Sequence, residues 1–371
     1  MKQVIILESR GMIGGACESI RLLIQNIGHL VDLIVPKGEE DHISKRMIKQ
    51  FYGENVNRIF EFYLPLNLEN TNGSEIFDIN SMKRNFRLFK KNKRELYDFL
   101  KKENYDHIHL NGLGLYPVLT RKFPMTIHIR QVFEGNLVQK LMIESYLLRA
   151  KAVIYIDSST KEPFKSLKIN NLLISNPIDQ TMVNKFDREE VMEYYGFQKD
   201  ELIFTIAGTI AEHKGHEFLI HAFHEFYEYP YKLLIAGTGD EETKRKYSEL
   251  SKDNPNIIYL GQISRDEMFK IYSITDYIIR AETFFTIGRT VYEGLYSGSG
   301  LIIQGSDRDL LNIKDYNRFK NRIYSYTPRD VTEFKSILHM LKEKKMFDRN
   351  AISNAENYGR IFNKYIEKIL K

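Results

Sequence analysis

Short runs of consecutive apolar residues alternate along this chain with longer segments in which apolar residues recur every three or four positions. The first run, Val4–Leu7, is followed by a glycine-containing loop and then by a helical pattern. The apolar residues of that pattern have the spacing i, i+3, i+4 and i+7: Ile20, Leu23, Ile24 and Ile27. Strands buried on both faces have continuous apolar sequences, and the helices that connect them are amphipathic. The pattern therefore predicts β–α–β units and a doubly wound parallel sheet.

The same alternation continues and predicts two groups of six strands. In the first half the predicted strands are Val4–Leu7, Val31–Val35, Arg58–Tyr63, His107–Leu110, Met125–Ile129 and Ala152–Ile156. In the second half they are Ile203–Ala207, Lys232–Ala236, Asn256–Leu260, Asp276–Arg280, Leu301–Gln304 and Arg322–Tyr326. A helix is predicted over His216–Tyr229, and the segment Pro328–Lys371 is predicted to be mainly helical. Six strands with intervening helices are enough for a complete Rossmann-like domain.

A length of 371 residues suits two such domains. We expect an N-terminal Rossmann-like domain over 1–180, a C-terminal one over 181–350, and a final helix over 351–371 that packs back on the first domain. Ligands bind at the carboxyl ends of the strands in open parallel sheets, so a cleft between two such edges is the expected binding place. This argument from the fold does not select a chemistry.

Composition excludes several classes of protein. Hydrophobic residues make up 43% of the chain, which excludes a largely disordered protein. No run of about 18 apolar residues is present, and the N-terminal apolar run is too short for a signal peptide. Cys17 is the only cysteine, so neither an intrachain disulfide nor a zinc site built on several cysteines is possible. We expect a protein of the reducing cytoplasm.

Positive charge is concentrated in the first half. Residues 1–180 contain 26 lysines and arginines against 20 acidic residues, and the remainder is nearly neutral. The densest basic segment is Lys83–Arg94, where an apolar stripe is predicted on the same helix: Phe86, Phe89, Leu96 and Leu100. Two interpretations stay open, a crossover helix packed on the sheet with solvated basic residues, or attachment to an anionic membrane. Nucleic acid is not an expected partner, because zinc-finger spacing and RNA-binding signatures are absent.

A candidate anion site follows the first strand of the second half. In the segment Ala207–Gly215, Gly208 lets a ligand approach the backbone, and Lys214 lies beside a predicted helix N-terminus. A lysine charge together with free backbone N–H groups suits a phosphate. The segment lacks the GxxxxGK[ST] pattern of a Walker loop, and by itself it also fits a purely structural loop.

The order of the motifs that follow is more specific than any one of them. Gly237 and Gly239 end the next predicted strand, Gly261 ends the one after, and the segment Ile279–Gly298 contains a Gly-x4-Glu pattern. Over about residues 200–305 this series resembles the retaining family-4 glycosyltransferases of the GT-B fold, also called glycosyl transferases group 1. The first half resembles that family more loosely, through its glycine loop, the segment 176–179 and the strand that carries His128.

The resemblance implies roles for individual residues. Lys214 matches the lysine that neutralises the donor diphosphate, and Glu293 matches the glutamate that accepts hydrogen bonds from both ribose hydroxyls. His128 matches a histidine that contacts the transferred sugar, so the implied catalytic residues are His128 and Lys214. The implied donor-binding residues are Gly14, Gly15, Gly208, Thr209, Lys214, Gly237, Gly239, Gly261, Glu282, Gly288, Arg289 and Glu293. Each also has a structural alternative: a tight turn at Gly14-Gly15, a core histidine at His128, a solvated helix residue at Glu293.

Two positions depart from the family's pattern. The family often has an acidic residue eight positions before the helical glutamate, where this chain has Phe285. Glu282, from the same loop, is a candidate substitute. The family's arginine after the first glycine is replaced by Thr209, which leaves Lys214 with less help on the diphosphate.

The resemblance implies a hexosyltransferase-type enzyme with two Rossmann-like domains facing a cleft, needing no metal and no cofactor. The implied donor is a nucleotide diphosphate sugar, with a UDP-sugar expected first, and the sugar passes with retention to a hydroxyl of a glycan or lipid-linked acceptor. Cell-surface polysaccharide or glycoconjugate synthesis is the expected setting, in the cytoplasm or peripherally on the inner face of the membrane. Two alternatives stay open: a catalytically silent GT-B partner protein, and a GT-B sugar-nucleotide epimerase.

Overall fold

The computed structural model divides the chain into two units, Met1–Pro177 with Glu356–Lys371, and Ile178–Ala355. The structure describes all residues except 11–14, 38–42, 66–78, 134, 180, 184, 238, 284, 286, 344–357 and 371. At residues 79–86, 343, 358–360, 369 and 370 it describes the backbone alone. We call the two parts unit 1 and unit 2.

The described strands of each unit form one parallel sheet. The strands are β1 (Gln3–Leu7), β2 (Val31–Pro36), β3 (Val56–Phe62), β4 (His107–Asn111), β5 (Met125–Ile129), β6 (Ala152–Tyr155), β7 (Asn171–Leu173), β8 (Leu202–Ala207), β9 (Tyr231–Ala236), β10 (Ile257–Gly261), β11 (Tyr277–Arg280), β12 (Gly300–Gln304) and β13 (Ile323–Tyr326). Unit 1 has the order β3-β2-β1-β4-β5-β6-β7, and unit 2 has the order β10-β9-β8-β11-β12-β13.

Helices connect these strands, as the alternating pattern predicts. The α-helices are α1 (Gly15–Asn26), α2 (Lys45–Tyr52), α3 (Ile79–Glu103), α4 (Leu137–Leu147), α5 (Ser158–Lys161), α6 (Arg188–Tyr195), α7 (His216–His224), α8 (Glu241–Ser251), α9 (Arg265–Ile274), α10 (Arg289–Tyr296), α11 (Asp307–Leu310), α12 (Tyr316–Phe319), α13 (Val331–Glu343) and α14 (Tyr358–Leu370). Short 3-10 helices occur at Leu113–Val118, Glu162–Phe164, Glu212–Lys214 and Lys320–Arg322. No helix in the described part of the chain is both long and apolar enough to cross a membrane.

In each sheet the direction of strand addition reverses beside the first strand. Ile5 of β1 lies opposite Leu33 of β2 on one side and His109 of β4 on the other. The same reversal in unit 2 sets Phe204 of β8 between β9 and β11. Such a switch point separates the loops at the carboxyl ends of two neighbouring strands and leaves room for a ligand. The predicted doubly wound, Rossmann-like architecture is confirmed in both units.

The sequence pattern missed one strand and overextended one helix. The edge strand β7 has three residues, and its first and last side chains are exposed, so it has no continuous apolar run. Helix α7 ends at His224 instead of continuing to Tyr229. Phe226 beyond it is still buried, because the turn that follows packs on the same core.

The two faces of the unit 1 sheet are covered by different helices. Helices α3 and α4 pack on one face, where Leu96 and Leu100 share a core with Ile143. Helices α1, α2 and α14 pack on the other, where Phe362 of α14 is fully buried. This division follows from the strand order, since a right-handed crossover that moves in the opposite direction along a sheet lies on the opposite face.

The predicted apolar stripe of the basic segment is part of this core. Phe89, Leu96 and Leu100 of α3 are buried against the sheet, and Phe86 is outside the described side chains. The crossover interpretation therefore holds for these three residues, which are not available to a bilayer. The basic residues from Arg87 to Arg94 are exposed on the outer side of the helix.

Candidate functional site

Three loops at the carboxyl edge of the unit 2 sheet pack backbone against backbone. Gly237 has φ +150°, and a Cβ there would lie 1.7 Å from the carbonyl oxygen of Gly208. Gly215 has φ +76°, and a Cβ there would lie 2.1 Å from the carbonyl oxygen of Ala281. Glycine is required at both positions by the close approach and by the positive φ. Gly208 has φ +140°, but no described atom lies within 4 Å of a Cβ built on it, so this side of the loop is open to a ligand.

The remaining predicted residues of these loops lie at the same edge. A Cβ at Gly239 would lie 2.4 Å from the carbonyl oxygen of Ile210. The carbonyl oxygen of Gly261 accepts a hydrogen bond from the amide of Gly237, at 2.8 Å. Thr209 is exposed in the first loop and contributes no charge. The fold thus brings together the glycines that the sequence singled out after β8, β9 and β10.

Lys214 belongs to a buried cluster of three charges. Its Nζ atom lies 3.1 Å from Oε1 of Glu282, and the guanidinium of Arg280 donates to the same oxygen. The Glu282 side chain is 2% exposed and that of Lys214 is 27% exposed, so the lysine is the member of the cluster that meets solvent. The other carboxylate oxygen of Glu282 is buried and has no hydrogen-bond partner among the described residues. Two cations against one carboxylate give the cluster a net charge of about +1.

Arg280 is the member that sequence analysis missed. It is the last residue of β11, and a Cβ at Gly288 would lie 3.4 Å from its Nη1 atom. The guanidinium therefore lies against the residue that precedes α10, whose first amides point out of the helix. Arg280 could have been predicted from its position two residues before Glu282 at the end of a strand, because side chains two residues apart in a strand lie on the same face.

Glu293 is not a solvated helix residue, because α10 holds its carboxylate inside the unit. Oε2 accepts a hydrogen bond from the Tyr272 hydroxyl at 3.1 Å, and Oε1 lies 3.4 Å from Arg265 and 3.5 Å from Arg289. Burial, and then the neighbouring Glu293 charge, raise the pKa of Tyr272 well above its ordinary value, so the phenol keeps its proton and donates it. Arg289 thus contacts Glu293 one helical turn away.

Phe285 has a packing role in place of the acidic residue that the family often has here. A Cβ at Gly305 would lie 2.7 Å from the Phe285 ring, and the ring also packs on the apolar cluster that contains Ile287. The carboxylate at this edge of the sheet is that of Glu282, held by Lys214 and Arg280. Its role as the substitute stays a prediction.

In unit 1 the corresponding sheet edge contains a carboxyl group that sequence analysis did not select. Glu8 directly follows β1, and Gly112, with φ +135°, leaves the space that Glu8 fills, since a Cβ there would lie 1.9 Å from Cδ of Glu8. The amide of Gly114 donates to Glu8 Oε1 at 2.7 Å. Burial raises the pKa of Glu8 to about 7, against the effect of this hydrogen bond and of the Arg130 charge. This pairing could have been predicted from an acidic residue directly after one strand, Glu8, and a Gly-x-Gly sequence after the neighbouring strand, at Gly112 and Gly114.

His128 lies in a buried group on β4 and β5. Its Nδ1 atom lies 3.2 Å from Arg130, whose guanidinium also donates to Asn111 and, at 3.0 Å, to Asn176. The ring contacts His109 edge to face at 5.7 Å. Burial, followed by the Arg130 charge, lowers the pKa of His128, so the imidazole is neutral. The predicted sugar contact of His128 stays a prediction, and the structure places the ring in the interior with Arg130 nearer the surface.

The predicted glycine pair before α1 is described only in part. Gly14 lies outside the described residues, and Gly15 is the first residue of α1. The Gly15 carbonyl accepts a hydrogen bond from Ser19 at 2.8 Å, and the same hydroxyl lies 3.1 Å from Asn176. The start of α1 is therefore connected to the Arg130 network. Within the described residues there is no group of three or more acidic, histidine or cysteine side chains placed to bind a metal.

Glu8 gives unit 1 a predictable dependence on pH. The native state keeps the Glu8 proton up to a pH of about 7, whereas the unfolded chain releases it near 4.5, so unit 1 loses stability as the pH rises between these values. The loss amounts to at most about 3 kcal/mol. Glu8→Gln keeps the acceptor for Gly114 and removes the titration. We expect the stability of the wild type relative to Glu8→Gln, measured by denaturant unfolding, to fall from pH 5 to pH 7. A constant difference would show that Glu8 is ionised throughout.

A sequence comparison shows that a segment of unit 2 is similar to a known family. Residues 187–306 match the family model described as glycosyl transferases group 1. Alpha-monoglucosyldiacylglycerol synthase of Acholeplasma laidlawii is 31% identical over 115 residues, which cover 30% of this chain and 29% of that protein. The match therefore spans less than a third of the relative's length. Lys214, Arg280, Glu282 and Glu293 all lie within the segment that matches the family model.

Comparison with solved structures extends the likeness of fold to the whole chain. A glycosyltransferase from Rickettsia africae has a TM-score of 0.71 at 16% identity, covering 100% of this chain and 99% of its own. HepE of Anabaena, crystallised with UDP and glucose, has a TM-score of 0.67 at 13% identity, with 100% and 97% coverage. At such identities the likeness is one of fold. The predicted resemblance to glycosyl transferases group 1 is confirmed over residues 187–306, which match that family model, and the chain as a whole has the fold of the GT-B glycosyltransferases.

Proposed function

We propose that this protein is a retaining glycosyltransferase that moves a hexosyl group from a nucleotide diphosphate sugar to a hydroxyl group. The observation that carries the proposal is the charge cluster of Lys214, Arg280 and Glu282 beside the open glycine loop at Gly208. A UDP-sugar is the first donor to test, because HepE of Anabaena was crystallised with UDP and glucose.

The cluster suits a diphosphate because one cation neutralises the carboxylate and the other remains for the ligand. Arg280 is almost fully enclosed and pairs with Glu282, while Lys214 reaches solvent. Near a protein surface two unit charges about 4 Å apart interact with about 4 kcal/mol, so one uncompensated cation has a large effect on diphosphate affinity. The first amides of α10 lie next to Arg280 and favour an anion in the same place.

Glu293 is suited to the ribose diol because each of its two carboxylate oxygens can accept a hydrogen bond and its arginine contacts are long. Arg265 and Arg289 lie 3.4 and 3.5 Å from Oε1, near the limit for a hydrogen bond. Two hydroxyl donors can therefore bind the carboxylate without displacing a strong pair. This is the ribose role that the family resemblance implies, and it is part of the proposal.

The proposed chemistry needs stabilised charge more than acid–base groups. The bond from the anomeric carbon to the β-phosphate oxygen breaks, a bond from that carbon to the acceptor oxygen forms, and negative charge grows on the departing diphosphate, which takes up the proton of the acceptor hydroxyl. Lys214 and the α10 amides are fixed before the reaction and stabilise that charge. We assign the acceptor to unit 1, where Glu8 and Arg130 carry polar atoms at the sheet edge. The acceptor class is a glycan or a lipid-linked hydroxyl, the latter supported by the name of the Acholeplasma relative.

One observation favours a second candidate, a catalytically silent protein that supports an active transferase. Phe285 fills its position by packing on Gly305 and has no polar atom to offer a sugar. Such a protein would bind the nucleotide without turnover. Incubation with a panel of UDP-, GDP- and ADP-sugars, with and without acceptors, separates the cases: transfer requires the acceptor, an epimerase forms a new sugar nucleotide without one, and a silent partner forms no product.

Replacing Glu293 tests the ribose contact. Glu293→Gln replaces one acceptor oxygen with a donor amide, and a lost charge-assisted hydrogen bond is worth about 1.5–3 kcal/mol. We expect uridine and UDP to bind about ten- to a hundredfold more weakly in calorimetry, because both contain the ribose. Glu249→Gln, on an exposed side chain of α8, is the matched control. Unchanged affinity for both ligands would remove Glu293 from the nucleotide site.

Replacing Lys214 tests the diphosphate contact separately. Lys214→Ala removes a partly exposed charge and leaves the Glu282 carboxylate paired with Arg280. We expect UDP affinity to fall at least about tenfold while uridine affinity stays the same, because uridine has no phosphate. Lys252→Ala is the control for loss of an exposed lysine. An equal loss for uridine and UDP would mean that Lys214 shapes the loop instead of binding phosphate.

Replacing Arg280 tests whether the net charge of the cluster, and not only its structure, determines the affinity for UDP. Arg280→Met leaves Glu282 and Lys214 as a neutral pair, so UDP affinity is expected to fall at least about tenfold. The double variant Arg280→Met with Glu282→Gln restores the charge of Lys214 and is expected to regain most of that affinity, a non-additivity that a double-mutant cycle measures. If the double variant binds UDP no better than Arg280→Met, the charge-balance explanation is wrong.

A further inference from the structure

Helix α4 of unit 1 has an apolar face that points into solvent. Four large side chains in its first half are exposed: Leu137 (67%), Val138 (76%), Leu141 (56%) and Met142 (37%). They lie at positions i, i+1, i+4 and i+5, which are neighbours on one side of a helix. The opposite side, with Gln139, Ile143 and Leu147, packs on the unit 1 sheet. Exposed apolar groups of this size on one element mark an interaction surface.

This face is fixed in place before any partner binds. Asn136 caps the helix by accepting from the Gln139 amide at 3.0 Å, and the Gln139 side chain accepts from the Asn136 amide at 2.8 Å. Such a capping box holds the first turn of a helix. Leu137 and Val138, in that turn, therefore project from an ordered helix instead of a frayed end.

A strongly basic surface lies on the same side of unit 1. Residues Arg87–Arg94 of α3 contain five exposed cationic side chains and no acidic one. Helices α3 and α4 share one core, and the 3-10 helix Leu113–Val118 connects them. Tyr97 of α3 donates to the Val118 carbonyl at 3.1 Å, and Tyr146 of α4 packs on Tyr116 with ring centroids 5.3 Å apart. The basic and the apolar surfaces thus belong to one layer of helices on one face of the sheet.

The exposed apolar face of α4 and the exposed cations of α3 together indicate which kind of partner binds here. Exposed apolar side chains and a cationic helix on the same face of one sheet suit the surface of an anionic bilayer, where the cations attract headgroups and the apolar groups enter the boundary with the acyl chains. A second copy of the chain fits less well, because a two-fold contact through α4 would bring two basic α3 segments onto one interface.

We propose that unit 1 binds the surface of anionic membranes through α3 and α4. The cations of Arg87–Arg94 supply the long-range attraction, and the exposed face of α4 inserts between the headgroups. The basic segment does not insert its own apolar stripe, since Phe89, Leu96 and Leu100 are buried in the core. This inference does not depend on the proposed glycosyl transfer, because binding to a vesicle requires no donor.

The absence of tryptophan from the chain makes insertion directly measurable. Leu141→Trp introduces the chain's single tryptophan on the exposed face of α4, and Leu311→Trp places it instead at an exposed position of unit 2. With vesicles of phosphatidylcholine containing about one quarter phosphatidylglycerol, we expect a blue shift for Leu141→Trp and none for Leu311→Trp. No shift for Leu141→Trp at low salt, or equal shifts for both variants, would overturn the proposal.

Cosedimentation of the full chain with the same vesicles separates the two surfaces. Changing Leu137, Val138, Leu141 and Met142 together to Ser is expected to reduce binding at least about tenfold. Changing Lys90, Lys91, Lys93 and Arg94 together to Gln is expected to remove the preference for anionic over purely phosphatidylcholine vesicles, a preference that should also disappear near 1 M salt. Leu311→Ser is the control. If the serine variant binds vesicles like the wild type, or if it instead converts a dimer to a monomer in light scattering, the bilayer is not the partner of α4.

Discussion

The buried carboxylate of Glu282 is the constraint on which the unit 2 site depends. An unpaired carboxylate in this position would be costly, and the Glu282 carboxylate is paired because Arg280 and Lys214 share one of its oxygens. The pairing fixes the end of β11 to the loop after β8. It also determines the net charge of the site, since Arg280 balances the carboxylate and leaves Lys214 in excess.

Close backbone packing makes this charge arrangement possible. The loops that carry Lys214 and Glu282 touch where Gly215 meets the carbonyl of Ala281, and a side chain at Gly215 would separate them. The contact between Gly237 and Gly208 holds the neighbouring loops in the same way. These glycines lie at the switch point of the sheet, where the carboxyl ends of β8, β9 and β11 converge. Strand order, glycine positions and charge thus act together, and each would be ineffective alone.

The two units have corresponding strand orders around their first strands, but the ionisable groups at their sheet edges differ. Unit 2 gathers cations, with Lys214 and Arg280 at the sheet edge. In unit 1 burial instead favours the uncharged forms of two groups, because it lowers the pKa of His128 and raises that of Glu8, and the Arg130 guanidinium contacts His128. Unit 1 also carries five exposed cationic side chains on α3, between Arg87 and Arg94. The two sheet edges therefore differ in charge, although the strand order around both switch points is alike.

The sequence by itself determined the parts of this protein that depend on local pattern. Twelve of the described strands were predicted, most of them from apolar runs, because a strand buried on both faces has to be apolar along its length; the missed β7 is a short, half-exposed edge. The glycines, Lys214 and Glu293 were singled out because the order and spacing of their motifs resemble those of a known glycosyltransferase family. Only the tertiary structure decided that Arg280 shares Glu282 with Lys214, that Glu8 fits beside Gly112, and that α4 exposes its apolar residues on the same face of the sheet as the basic helix α3. The first two are contacts between residues on different segments of the chain, which a local pattern does not specify. The third depends on which side of a helix packs on the sheet, and that is decided only when the sheet has formed.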